Sequence, residues 1–234
     1  MTARTREPGL SLAMNWNLLI RTGGFAALAI VGLIPVQILI FTIFPPPEST
    51  LGFFELFHES AFLGLLSLDL LYFLNNALIV LLYLAFFAAL RNANPAALLI
   101  ALIIGFIGIA AYYASSVAFE MLSLSKQYFL AGSDTLRQQL LGAGYGLLLR
   151  YKGTAFDIYY VFNAVTLLIV SLVMLRDRTF TRTTAVWGLV SALFMAIPST
   201  AGTLGLIFSL LSLIPWTVFS LLAAKKLLKM NAVS

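Results

Sequence analysis

The stretch Ala96-Ala-Leu-Leu-Ile-Ala-Leu-Ile-Ile-Gly105-Phe-Ile-Gly108-Ile-Ala-Ala111 has no charged residue and no alternation of polar with apolar positions. A strand lining a membrane barrel would alternate with period two; a helix satisfies its backbone groups internally and can be apolar all round. The turn Asn92-Ala-Asn94-Pro95 precedes it, with a proline placed for a helix start. The spacing predicts a membrane-spanning helix from Pro95 to about Glu120.

Further spans are expected at about 22–44, 66–90, 154–175, 184–199 and 204–224, each near the roughly 20 residues that cross about 30 Å of hydrocarbon. The chain of 234 residues is 61% hydrophobic and 10% charged, with a mean hydropathy of +0.99. That composition cannot supply the polar shell of a soluble domain. The fold class is therefore all-α, one polytopic integral membrane domain over 1–234 with six transmembrane helices. Pro35 falls inside the first, whose length and lack of a small-residue cleavage site favour a retained helix over a removed signal peptide. Amphipathic segments are expected at about 51–60 and 133–150, the second capped by Ser133-Asp134.

Six spans put both termini on one side. Of the 14 Lys and Arg residues, Lys126, Arg137, Arg150 and Lys152 fall on the opposite side, in the longest loop. The others, among them Arg4, Arg6, Arg91, Arg176 and Lys225, gather on the termini side, which predicts an N-in, C-in topology. The same bias accounts for the net charge of +5 without nucleic acid as a partner. Membrane lipids are the expected surroundings. No face of the sequence is visibly self-complementary, so an oligomeric partner stays open.

Several chemistries are excluded. There is no cysteine and only one histidine, His58, so thiolate catalysis, cysteine-held clusters, bis-histidine haem and multi-histidine zinc sites are out of reach. No lysine lies inside an apolar span to form a retinal Schiff base, and His58 has no Gly-x-Ser-x-Gly nucleophile to serve. His58 with Glu55 and Glu59 is too sparse a donor set for a metal. Gly142, Gly144 and Gly146 follow no strand and precede no Lys-Ser/Thr, so they are not a phosphate loop. No catalytic residue, metal or cofactor is assigned, and enzyme readings survive only as carboxylate chemistry on lipid.

The polar residues within the spans form a pattern. Asp69, Tyr72 and Asn75 are matched at an offset of 88 by Asp157, Tyr160 and Asn163, and both spans end in arginine. Three-residue steps keep each set on one slowly drifting stripe. The two spans run in the same direction, as in a parallel repeat of a helical hairpin. At 1.5 Å per residue Asp69 lies about 33 Å from Arg91 and Asp157 about 29 Å from Arg176, which puts both carboxylates at the outer boundary. Tyr113, Ser116 and Glu120 share a face at the same end of the third span.

Two readings follow. In one, Asp69, Tyr72, Asn75, Tyr113, Glu120, Asp157, Tyr160 and Asn163 line an outward-opening polar cavity for a small solute or cation, as in a transporter, channel-like protein or ligand sensor. In the other, the same residues join helices within a scaffold or partner-binding subunit, and Asp157 only favours the first turn of its helix.

The strings Ala118-Phe-Glu120-Met-Leu-Ser-Leu-Ser125-Lys-Gln127-Tyr128, Leu140-Leu-Gly-Ala-Gly144, Tyr151-Lys-Gly153-Thr154-Ala-Phe156 and Ile197-Pro198-Ser-Thr-Ala-Gly202-Thr-Leu-Gly205 resemble the prokaryotic membrane proteins of domain-of-unknown-function family 4386. The resemblance covers most of the chain from the second span onward. It implies six spans, a prokaryotic cytoplasmic membrane and an unassigned function, and it transfers no site residues.

Overall fold

The computed structural model describes residues 16–230, so the tail carrying Arg4 and Arg6 lies outside the described residues. Within them the chain forms α1 (Trp16–Ile43), α2 (Thr50–Glu59), α3 (Ala61–Ser67), α4 (Leu70–Leu90), α5 (Pro95–Ser115), α6 (Ala118–Leu130), α7 (Asp134–Tyr151), α8 (Thr154–Arg176), α9 (Arg182–Met195) and α10 (Gly202–Lys229). Side chains begin several of these by accepting a hydrogen bond from a first-turn N–H. Asn94 takes that of Ala97 at 3.1 Å, with Pro95 at the first helical position. Ser133 takes that of Leu136 at 3.3 Å, and Ser60 takes that of Leu63 at 3.3 Å.

Among the described residues five stretches are long and apolar enough to cross a membrane: α1, α4, the run Pro95–Leu130 containing α5, the run Asp134–Arg176 containing α8, and α10. They are the helices of an integral membrane protein. The stretch expected to cross at 184–199 forms α9, whose 14 residues span about 21 Å and fall short of the hydrocarbon thickness.

Six helices close into a ring in chain order: α1 packs on α4, α4 on α5, α5 on α8, α8 on α9, α9 on α10 and α10 back on α1. One hydrophobic core, with Leu82, Phe86, Tyr112, Tyr159, Leu167 and Phe219 among its members, runs through it. The remaining helices, α2, α3, α6 and α7, form a second layer around Phe53, Phe54, Phe57, Met121 and Leu140. The Ser125 hydroxyl ties this layer together by donating to the Phe54 carbonyl at 2.6 Å.

Lipid tails are as apolar as leucine, so membrane helices hold together by close packing, and small residues permit it. Glycines stand at all six ring contacts, Gly188 facing both Ser171 of α8 and Phe219 of α10. A methyl on Gly23 would lie 2.1 Å from Ala85 Cβ, and one on Gly188 would lie 2.2 Å from Ser171 Oγ. On Gly24 it would meet Leu228, and on Gly105 and Gly108 it would meet Tyr83, Thr166, Asn163 and Phe162.

Two helices differ from the continuous spans expected. The helix predicted from Leu66 is interrupted, because Asp69 takes a left-handed conformation with φ 65° and ψ 31° that separates α3 from α4. Aspartate is one of the few residues other than glycine that enters this region at modest cost. The helix predicted to reach Glu120 stops at Ser115. Ser116 turns to extended backbone, and Glu120 falls in the first turn of α6.

Gly108→Ala is expected to lower stability by about 1–3 kcal/mol through overpacking of α5 on α8. Gly142, which has open space around it, should tolerate alanine with no loss. Thermal unfolding in detergent checks the pair.

Candidate functional site

A cavity of about 130 Å³ lies inside the ring. Leu33, Ile34, Gln37 and Ile38 of α1 wall it on one side, and Ser209, Ser212, Leu213 and Trp216 of α10 on another. From α4 it receives Tyr72, Asn75 and Tyr83, and from α8 Tyr159, Tyr160 and Asn163. Its surface is mostly apolar, and among the described residues no charged side chain lines it.

The polar lining divides into bonded and unbonded groups. Tyr83 donates its hydroxyl to Asn163 Oδ1 at 2.7 Å, and Asn163 Nδ2 donates to the Tyr159 carbonyl at 2.8 Å. The Tyr72 and Tyr159 hydroxyls pair at 3.0 Å, and those of Tyr160 and Ser209 pair at 3.1 Å. Buried tyrosines pack around these bonds. The Tyr112 ring centre lies 5.3 Å from that of Tyr72 and 5.1 Å from that of Tyr159. In contrast, both polar atoms of the Gln37 carboxamide are hidden from solvent with no hydrogen-bond partner among the described residues. Asn75, 7% exposed, also lines the cavity and makes no side-chain hydrogen bond among the described residues.

Four of the eight residues singled out by sequence therefore meet at one cavity: Tyr72, Asn75, Tyr160 and Asn163. The other four do not line it. Tyr151 at the end of α7 donates its hydroxyl to the Asp69 carboxylate, and Thr200 donates to Asp157 from the connection between α9 and α10. Tyr113 donates to the Phe73 carbonyl at 3.2 Å and packs on the Phe73 ring at 4.3 Å. Glu120 is exposed on α6. The two aspartates also differ locally: Asp69 precedes the first residue of α4, whereas Asp157 sits within the first turn of α8.

Asp69 stands just before the apolar helix Leu70–Leu90. Crowding by protein atoms raises its carboxyl above the usual range, while the Tyr151 hydroxyl and the Lys152 charge act in the opposite sense. His58, set aside above as a metal ligand, stacks on Phe129 at 3.9 Å between ring centres.

Sequence reasoning missed Gln37, Tyr83, Tyr159, Ser209 and Trp216. Tyr159 was signalled by the doublet Tyr159-Tyr160. The stripe rule selected Tyr160 as the repeat equivalent of Tyr72 and passed over its neighbour, whose hydroxyl is the one that pairs with Tyr72.

A family model described as "Domain of unknown function (DUF4386)" matches residues 22–225, as the resemblance led one to expect. No curated protein and no solved structure is matched.

Replacing Asn163 by leucine strands the Tyr83 hydroxyl and is expected to cost about 1–3 kcal/mol. Asn75→Leu should cost little, having no bond to lose; the two unfolding midpoints in detergent give the comparison. A second expectation concerns Asp69→Asn, which keeps an acceptor for Tyr151 and suits a left-handed residue. A raised carboxyl pKa disfavours the ionised form in the fold, so wild type loses stability relative to this variant as pH rises above about 4. Unfolding at pH 4 and pH 8 would reveal that divergence.

Proposed function

Because the chain belongs to the DUF4386 family, we propose for it a reading built on its own cavity: it binds a small uncharged molecule inside the helix ring, as a transporter or sensor in a prokaryotic cytoplasmic membrane. The observation that carries this is the Gln37 carboxamide, hidden and without a partner on the cavity wall. A buried polar group without a partner costs roughly 1–3 kcal/mol, and a ligand that hydrogen-bonds to it recovers that energy. The uncharged lining favours a neutral ligand over a cation.

In this reading the chain crosses the membrane six times with both termini inside. The connection from Ala196 to Ala201 completes the crossing that α9 leaves short. The matched stripes on α4 and α8 derive from a parallel hairpin repeat, and their cavity ends, Asn75 and Asn163, face the ligand. The scaffold reading draws on a different observation: Asp69, Asp157 and Tyr113 are each engaged by a neighbouring segment. The carboxylate ends of the stripes then hold the bundle, and their inner ends serve the cavity.

Thermal-shift measurements on purified protein, with neutral alcohols and amides compared with sodium, potassium and organic cations, test the ligand class. A neutral compound at 100 times its Kd should stabilise by about 2.7 kcal/mol. The effect should vanish in Asn75→Leu and persist in Asp69→Asn and Asp157→Asn. Stabilisation by cations that disappears with the aspartates would overturn the neutral site. For topology, cysteines at Asp134 and Asn92 in this cysteine-free chain should react with an impermeant maleimide from outside and inside respectively.

A further inference from the structure

The cavity lies between two helices whose cavity-side halves are scarcely packed. In α1 the buried positions run from Ile20 to Ile30 and then stop. Beyond them Val36 is 45% exposed, Ile38 53% and Leu39 58%. The first half of α10 is similar, with Leu206, Ile207 and Leu210 exposed and only Gly205 and Ser212 buried before Pro215. Each helix carries an internal proline close to the cavity, Pro35 in α1 and Pro215 in α10. A proline lacks the N–H that would bond the carbonyl four residues earlier, so both helices are weakened at the same level. Ile38 lines the cavity and is also half exposed on the flank of the bundle. The cavity is only partly enclosed, and at Ile38 its wall is also exposed surface of the kind that meets lipid in a membrane protein.

The lining chemistry narrows what could enter. Gln37 and Asn75 each offer a donor and an acceptor, which a hydroxyl or carbonyl head group complements and a bare hydrocarbon does not. The cavity holds about 130 Å³, below the roughly 300–1,000 Å³ that encloses a drug-sized ligand. That is room for a head group, with an attached chain left outside.

We infer that the ligand is a neutral amphiphile drawn from the bilayer, whose hydroxyl or carbonyl head enters sideways between the C-terminal half of α1 and the N-terminal half of α10. This rests on the neutral-ligand reading above and deepens it. The head bonds to Gln37 and Asn75, and the chain lies in the gap against Ile34, Ile38 and Leu213. Anionic and cationic lipids are rejected, because the lining supplies no counter-charge to offset the cost of desolvating them.

Trp216 lines the cavity and is one of three tryptophans in the chain. A variant with Trp16→Phe and Trp187→Phe isolates its fluorescence in proteoliposomes. The probe 2-bromododecanol should quench Trp216 saturably, and Gln37→Met, close in shape to glutamine, should weaken that binding about tenfold. The ionic probe 2-bromododecanoate should give only the linear quenching of a lipid solute. A single cysteine at Ile38 should react with a lipid-dissolved maleimide, resist a charged water-soluble one, and be protected by dodecanol. If water-soluble 2-bromoethanol quenches saturably with the same affinity, and the charged reagent reaches Ile38→Cys, lipid entry is overturned while the neutral cavity stands. If no neutral probe saturates, or if Gln37→Met keeps its fold by thermal unfolding yet binds unchanged, the head-group site is overturned.

Discussion

The Asn163 carboxamide is the interaction on which the bundle depends. It accepts from Tyr83 of α4, returns a hydrogen bond to Tyr159 of its own helix, and lies against Gly108 of α5. One side chain thus fixes three helices at a single depth. In hydrocarbon no water competes for its bonds, and losing one leaves a polar group with nowhere to turn. Close approach makes the arrangement achievable: without glycine at 105 and 108, α5 could not come near enough for Thr166 to donate to the Ala101 carbonyl at 2.9 Å.

Around that centre the two layers divide their tasks. The ring carries the apolar mass, and the layer of α2, α3, α6 and α7 anchors the ends of its helices. Arg150 donates to the Ala114 carbonyl at 2.7 Å, at the end of α5. Tyr151 engages Asp69 where α4 begins. These contacts fall at the ends of α4 and α5, whereas among the described residues the corresponding halves of α1 and α10 are largely exposed. The bundle is therefore braced on one flank and loose on the other, and the cavity lies toward the loose flank.

Much of this was legible in the sequence. Unbroken apolar runs gave the helices, and polar residues at three-residue spacing marked the stripes of α4 and α8. Turn residues such as Asn94-Pro95 and Ser133-Asp134 located helix starts to within a residue or two. What stayed hidden depends on tertiary partners. The break at Asp69 follows no proline or glycine, and the carboxylate there accepts a bond from a residue 82 positions away. Gln37 was overlooked because a lone amide in an apolar helix belongs to no periodic set. The choice between Tyr159 and Tyr160 turns on helix rotation, which a doublet leaves ambiguous.

The short α9 affects the surroundings of the protein as well as its interior. At 1.5 Å per residue the 21 residues of α5 extend about 31 Å, and the 14 of α9 about 21 Å. In the proposed six-crossing arrangement a bilayer that matches α5 is thicker than α9 alone, so either the connection after α9 makes up the difference or the lipids beside it thin. Membrane thickness thereby becomes a variable to which the looser half of this bundle responds: thicker bilayers strain it, and thinner ones let it relax.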